Sequence, residues 1–150
     1  MKKHLTTFLV AFAACATALY AYNQYQMRKF QAVAHLIEGL TLASSFKGPV
    51  ASYFAAEGRF PKTNAEAGLG PAQHYRGQSV TSVAVTAGGS IVVSFSEKSG
   101  VAGGTIRLTP AAPHGVDGNV LWECTSPSFS RIETAMSTCK YVPAAAPSTN

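Results

Sequence analysis

Residues 5–27, LTTFLVAFAACATALYAYNQYQM, run on through Arg28 and Lys29 into residues 30–54, FQAVAHLIEGLTLASSFKGPVASYF, with no convincing stop between them. The first run holds no charged residue. At the helical rise, about 20 residues cross a hydrocarbon core of roughly 30 Å, so this run is long enough to span a bilayer. In the second run Phe30, Val33, Ile37 and Leu40 recur at steps of three and four, and Leu36, Ala43, Val50 and Phe54 broaden the stripe. An apolar stripe of that period wants a partner surface outside lipid. Read as one helix, the roughly 50 residues make a rod of about 75 Å. Its first half is expected to be embedded in membrane, with Phe8, Leu9, Val10, Phe12, Cys15 and Leu19 among the lipid-facing residues. Its second half is expected to pack on the remainder of the chain through Val33, Ile37, Leu40, Val50 and Phe54.

Working outward, the rest of the 150 residues supplies one modest domain, not two. The reading divides the chain into a membrane-anchoring segment 1–27, a head 28–143 that includes the second half of the helix, and a flexible tail 144–150. Charge is concentrated at the front. Residues 1–54 carry five basic residues against Glu38, whereas residues 55–150 carry seven basic against six acidic and are nearly neutral. A nearly neutral head argues against a nucleic-acid footprint, which needs Lys and Arg clustered on one face.

Lys2 and Lys3 ahead of the apolar run are expected to keep the N-terminus cytoplasmic and to send the remainder out of the cytoplasm. Three readings of the segment remain open: an uncleaved anchor, a secretory signal cut after Ala16-Thr17-Ala18, or a lipidated Cys15. Each places the head outside the cytoplasm. Cys124 and Cys139 flank a polar stretch near the C-terminus. In an oxidising compartment they would close a loop of about 16 residues, stabilising by roughly 3 kcal/mol; in a reducing one they would be free thiols.

After the helix, Gly48-Pro49 predicts a kink, with helix resuming to Phe54 or Ala55, and Gly58 predicts its stop. Lys62–Arg76, with Gly68, Gly70 and Pro71, reads as a long surface loop, with Leu69 and Tyr75 available to pin it down. From Ser79 the period becomes alternating. Val80, Val83 and Val85 lead through Gly88-Gly89 into Ile91, Val93 and Phe95, a hairpin. A third strand carries Ile106 and Leu108 and is expected to end at Pro110, and a fourth, Asn119–Thr125, carries Val120, Trp122 and Cys124 on one face. Four antiparallel strands with one apolar face need a cover, and the second half of the long helix is the element of adequate size. A short turn of helix is expected near Arg131–Met136.

Catalytic patterns are lacking. His114 and Asp117 lie three apart on a Pro/Gly loop, but no serine sits in a strained elbow and no oxyanion motif accompanies them. His4, His35, His74 and His114 are scattered without ligand spacing, so neither a metal nor another cofactor is expected.

These elements in this order resemble the type IV pilin family. The resemblance is carried by Gln31–Phe54 with its Glu38-Gly39-Leu40-Thr41-Leu42-Ala43-Ser44 core and by Gly58-Arg59-Phe60-Pro61-Lys62-Thr63-Asn64 followed by Gly68-Leu69. Tyr75-Arg76-Gly77, Thr105–Pro110, Trp122-Glu123-Cys124 and Cys139 complete it. It implies an α+β fold: a long N-terminal helix, membrane-embedded in its first half, packed by its second half on a four-stranded antiparallel sheet, with a disulfide-closed C-terminal loop. It also implies a non-enzymatic structural or adhesion subunit of a bacterial surface filament, or a membrane-anchored accessory to one. The expected partners are the membrane, other pilin subunits or pilus assembly proteins, and a host or surface receptor met through the loops Lys62–Arg76 and Cys124–Cys139. The alternative is a DNA-capturing minor pilin of a competence system. The family's early helix places a Gly at the cleavage site, then a Phe and, soon after, a Glu. This chain has Lys3, His4 and Phe8 at the matching positions, so the resemblance implies neither the usual leader cleavage nor the usual route into a filament.

Overall fold

The structure, a computed structural model, describes residues 2–111 and 119–144, with side chains from Ala11 onward apart from that of Lys29. It divides into two compact units, Met1–Ala32 and Val33–Asn150.

The first unit is the opening stretch of helix α1 (Lys2–Glu57). No glycine or proline occurs between Leu5 and Glu38, and alanines are frequent, so propensity favours an unbroken helix there. Among its described residues Phe12 is 72% exposed and Phe30 70%, and Leu19 and Cys15 are exposed as well. The side chains of Phe8, Leu9 and Val10 lie outside the described residues. Among the described residues no helix is long and apolar enough to cross a membrane. The run Tyr20-Ala21-Tyr22-Asn23-Gln24-Tyr25-Gln26 is polar enough to lower the hydropathy of the described part.

In the second unit α1 passes through Pro49 without interruption and ends at Glu57. There Gly58 takes φ +68° and donates its N–H to the Phe54 carbonyl at 2.9 Å, the left-handed stop that glycine makes easy. A sheet follows: β1 (Val80–Thr86), β2 (Ser90–Phe95), β3 (Thr105–Ala111), β4 (Leu121–Ser126) and β5 (Cys139–Tyr141), in spatial order one to five. The first four form an antiparallel meander. Gly88 and Gly89, at φ +80° and +72°, turn the first hairpin.

Two details of the sheet differ from expectation. Among the described residues there are five strands, and β5 lies parallel to β4, with Cys139 opposite Cys124. Three residues are too few to show an alternating pattern, but the Cys124–Cys139 disulfide pins their register. Pro110 does not end β3, which continues to Ala111. The β2–β3 ladder stops at Ile91–Leu108, so no donor is wanted of Pro110 on that side, while its β4 partner is Trp122.

The core lies between the sheet and α1, with Phe46, Val50, Val83, Ile91, Val93, Phe95 and Ile106 essentially inaccessible. The helix residues that enter it are Leu36, Gly39, Ala43, Phe46 and Val50, at alternating steps of three and four. The seam is therefore rotated from the stripe expected through Val33, Ile37 and Leu40. Ile37 is 50% exposed, Val33 is half-buried, and Leu40 packs only at the core margin. The reason is at Gly39. A Cβ built there would fall inside the Phe95 ring, so the helix presents its smallest residue where the sheet supplies the bulk. Phe54 stacks on Phe60 with ring centroids 4.3 Å apart.

Candidate functional site

Three arrangements in the second unit join helix, loops and sheet, and each begins with one polar or sulfur-bearing residue. The first is Glu38, which the apolar stripe hides in sequence. Its carboxylate accepts the Gln78 N–H at 2.6 Å, the Ser79 N–H at 3.1 Å and the Ser79 hydroxyl at 2.9 Å. Loss of hydration pushes this carboxyl up. The opposing hydrogen bonds from Gln78 and Ser79, with His35 nearby, outweigh it and hold Glu38 below the ordinary carboxylate range. Gly77 leaves room for it, since a Cβ there would meet the carboxylate and displace it. The result clamps the start of β1 to the helix. The available signal was a carboxylate beside a glycine within an apolar stripe.

The second is Asn64, nearly buried in the segment between α1 and the sheet. Its amide donates to the Gly70 carbonyl at 2.9 Å and the Val83 carbonyl at 3.2 Å, and its oxygen accepts the Val85 N–H. The segment is tied further by Gly89 N–H to Pro61 O at 2.9 Å and by Gly70 N–H to the Tyr75 hydroxyl at 3.0 Å. The Tyr75 ring meets Phe46 edge-on with centroids 4.6 Å apart, and Leu69 packs on the core. At the segment's rim Glu66 accepts the Lys62 N–H at 2.8 Å and pairs with Arg59 at 3.1 Å. Arg59 lies over the Tyr53 ring. No periodicity marks a single loop asparagine as an anchor, so sequence reasoning passed over it.

The third is the disulfide-closed segment. Between Cys124 and Cys139 the chain buries Phe129, Ile132 and Met136, and helix α2 (Ile132–Ala135) carries Ile132 inward. Phe129 meets Phe95 edge-on at 5.5 Å. Buried Ser126 donates to the Thr105 carbonyl at 2.7 Å and accepts the N–H groups of Ser128 and Phe129. Composition made this stretch look polar, yet its three large apolar residues extend the core.

Chemically, these are devices for holding surfaces in place. His35 is half-buried on the helix and His74 is exposed. Among the described residues no group of three His, Cys, Asp or Glu is placed to hold a metal ion. His114 and Asp117 lie outside the described residues, as does the side chain of His4. The sequence-predicted residues thus separate into those brought together (Cys124 with Cys139), those packed in the head (Val50 in the core, Phe54 on Phe60), and those left on the surface (Phe12, Cys15, Leu19, Ile37).

Comparison with known proteins extends this picture. A family model described as pilin (bacterial filament) matches residues 32–147. The fimbrial protein EcpC of Eikenella corrodens is 35% identical over 117 residues, covering 74% of this chain and 70% of that protein.

Proposed function

Because this chain belongs to the pilin family of bacterial filament subunits, we propose that it is a type IV pilin-like subunit that joins its neighbours through the uncovered surface of α1. One observation carries the reading: α1 displays a long surface that is apolar or small and almost free of charge. Ala11 to Met27 holds no charged residue. From Phe30 to Ala56 every exposed position is uncharged, Ala34, Ile37, Thr41, Ser44 and Gly48 among them. The Thr41, Ser44 and Ser45 hydroxyls donate to carbonyls of their own helix at 2.9, 2.8 and 2.7 Å, which leaves their carbon faces outward. A face that asks so little of water is suited to close packing against other helices. Pilins are structural filament subunits, and this subunit acts through surfaces, not catalysis.

The uncharged run 5–27 supports a stage in which the subunit is held by the inner membrane with its head periplasmic before it enters the filament. The near-neutral charge of residues 55–150 favours a structural or adhesive role over DNA capture. The test is direct. Surface filaments sheared from cells and washed free of membrane are digested, and peptides of this chain are sought by mass spectrometry. Filament-borne peptides in amounts comparable to other subunits support the proposal. Recovery in the membrane fraction alone overturns it in favour of an anchored accessory.

A further inference from the structure

The two edges of the sheet are protected very differently. At β5 the strand is three residues long and carries Lys140, and its outward donors are taken: the Cys139 N–H by the Met136 carbonyl at 3.0 Å, the Tyr141 N–H by Glu133 at 3.1 Å. Shortness, charge and a covering helix are the usual defences of an edge. At β1 neither shortness nor charge is present, and the cover is the segment before the strand, with its short 3-10 helix at Ala72–His74. Val80–Thr86 is seven residues long, rich in valine and threonine, and free of charge and proline, which is the composition that pairs with copies of itself. Three of its backbone groups are closed from elsewhere. The Val80 carbonyl accepts the Gly77 N–H at 3.1 Å, and the Val83 carbonyl and Val85 N–H are taken by the single side chain of Asn64.

We propose that Asn64 and the segment around it form a strap whose release opens β1 to antiparallel pairing with the β1 edge of a second copy. The occupant follows from the strand itself. With no charge along it, β1 offers an incoming partner mainly backbone groups and small β-formers, and an identical strand run antiparallel satisfies both sets. While closed, the strap confines association to surfaces other than the sheet edge. The inference does not depend on whether α1 builds a filament.

Full-length protein in detergent micelles, with Cys15→Ser to remove the free thiol and Ala84→Cys on the outer face of β1, reports the contact. Directly opposed Cβ atoms in an antiparallel pair lie about 4.5–5.5 Å apart, within disulfide reach. Association through α1 is common to both samples, so the comparison isolates the strap. Adding Asn64→Ala raises the crosslinked fraction by about tenfold, as expected when hydrogen bonds that close an edge are lost. An unchanged fraction with the sheet still folded overturns the proposal. Amide exchange of the unaltered protein supplies a readout independent of folding of the variant. The Val85 N–H, held by the strap, exchanges at least about tenfold faster than the Ala84 N–H, held by the β2 ladder. Equal rates would mean that the strap opens only with the whole sheet, which also overturns it.

Discussion

Residues 11–31 and 36–50 belong to one helix, both carry large apolar side chains, and have opposite fates. In the first stretch Phe12, Leu19 and Phe30 are left exposed; in the second Leu36, Ala43, Phe46 and Val50 are buried against the sheet. Burial is a property of a pair of surfaces, so hydrophobicity along a chain states a demand without saying what meets it. The second stretch is met within its own chain by Phe95, Val93 and Tyr75. The first leaves Phe12, Leu19 and Phe30 exposed, and under the function proposed above its cover comes from neighbouring subunits.

The sharpest way to break this contrast is to truncate one ring in each stretch. Phe46→Ala empties a fully buried site and costs about 3–5 kcal/mol of folding stability, read as a lowered midpoint in denaturant melts of the head. Phe30→Ala, at a site 70% exposed, changes the same midpoint by no more than about 0.5 kcal/mol. It should instead lower the yield of sheared filaments. Equal effects of the two truncations on folding would show that the two stretches are not different in kind.

The next largest effect falls on the sheet's closing strand. Opening Cys124–Cys139 by a paired Ser substitution removes a link across 15 residues and costs about 3 kcal/mol in the chain-entropy account. Because Ile132 and Phe129 are independently buried, the segment should keep partial protection in hydrogen exchange. Complete loss of protection from Phe129 to Tyr141 would mean that the sulfur link alone orders it.

How far these contrasts could be read in the sequence depended on whether one residue type forces one geometry. Gly58 and Gly88-Gly89 were legible because a left-handed backbone nearly demands glycine, and the valine alternation of β1 and β2 was legible because period two has no other easy reading. The helix face was legible in part: Leu36, Ala43 and Val50, read as the broad side of the stripe, lie in the seam, whereas Val33, Ile37 and Leu40 do not enter it and the closest approach is set by Gly39, which carries no hydrophobic signal. Neither β5 nor the Asn64 strap had a period to betray it. Each depends on a partner at least 15 residues away, and pairing at that range leaves no mark on local pattern.

That seam supplies a smaller, directional test. Gly39→Ala improves intrinsic helix propensity by up to about 1 kcal/mol. It also forces a methyl into Phe95, which is itself buried and held edge-on by Phe129, at about 1–3 kcal/mol. The net change is a loss, and Phe95→Leu in the same chain should recover part of it by vacating the space. A gain from Gly39→Ala alone would show that the helix has room to move off the sheet, and would weaken the case that this stretch is fixed by its cover.

The smallest effect separates the two stretches by acid. Glu38 belongs to the covered stretch, and its carboxyl lies lower in the folded chain than its usual value of 4.5. A group with a lowered folded value binds protons more readily when unfolded, so its contribution is fully present above about 4.5 and is lost as pH falls through the folded value. Glu66 is lowered too, first by the Lys62 N–H and then by Arg59, so the intact protein loses more than one contribution on acidification. Glu38→Gln removes only the first. Thermal melts taken from about pH 6 to about pH 3 should show the intact protein above the variant at the upper end, with the gap closing toward the lower. Curves that stay parallel over that range would mean that the carboxylate's charge does nothing at the clamp and that its hydrogen bonds to Gln78 and Ser79 are served equally well by an amide.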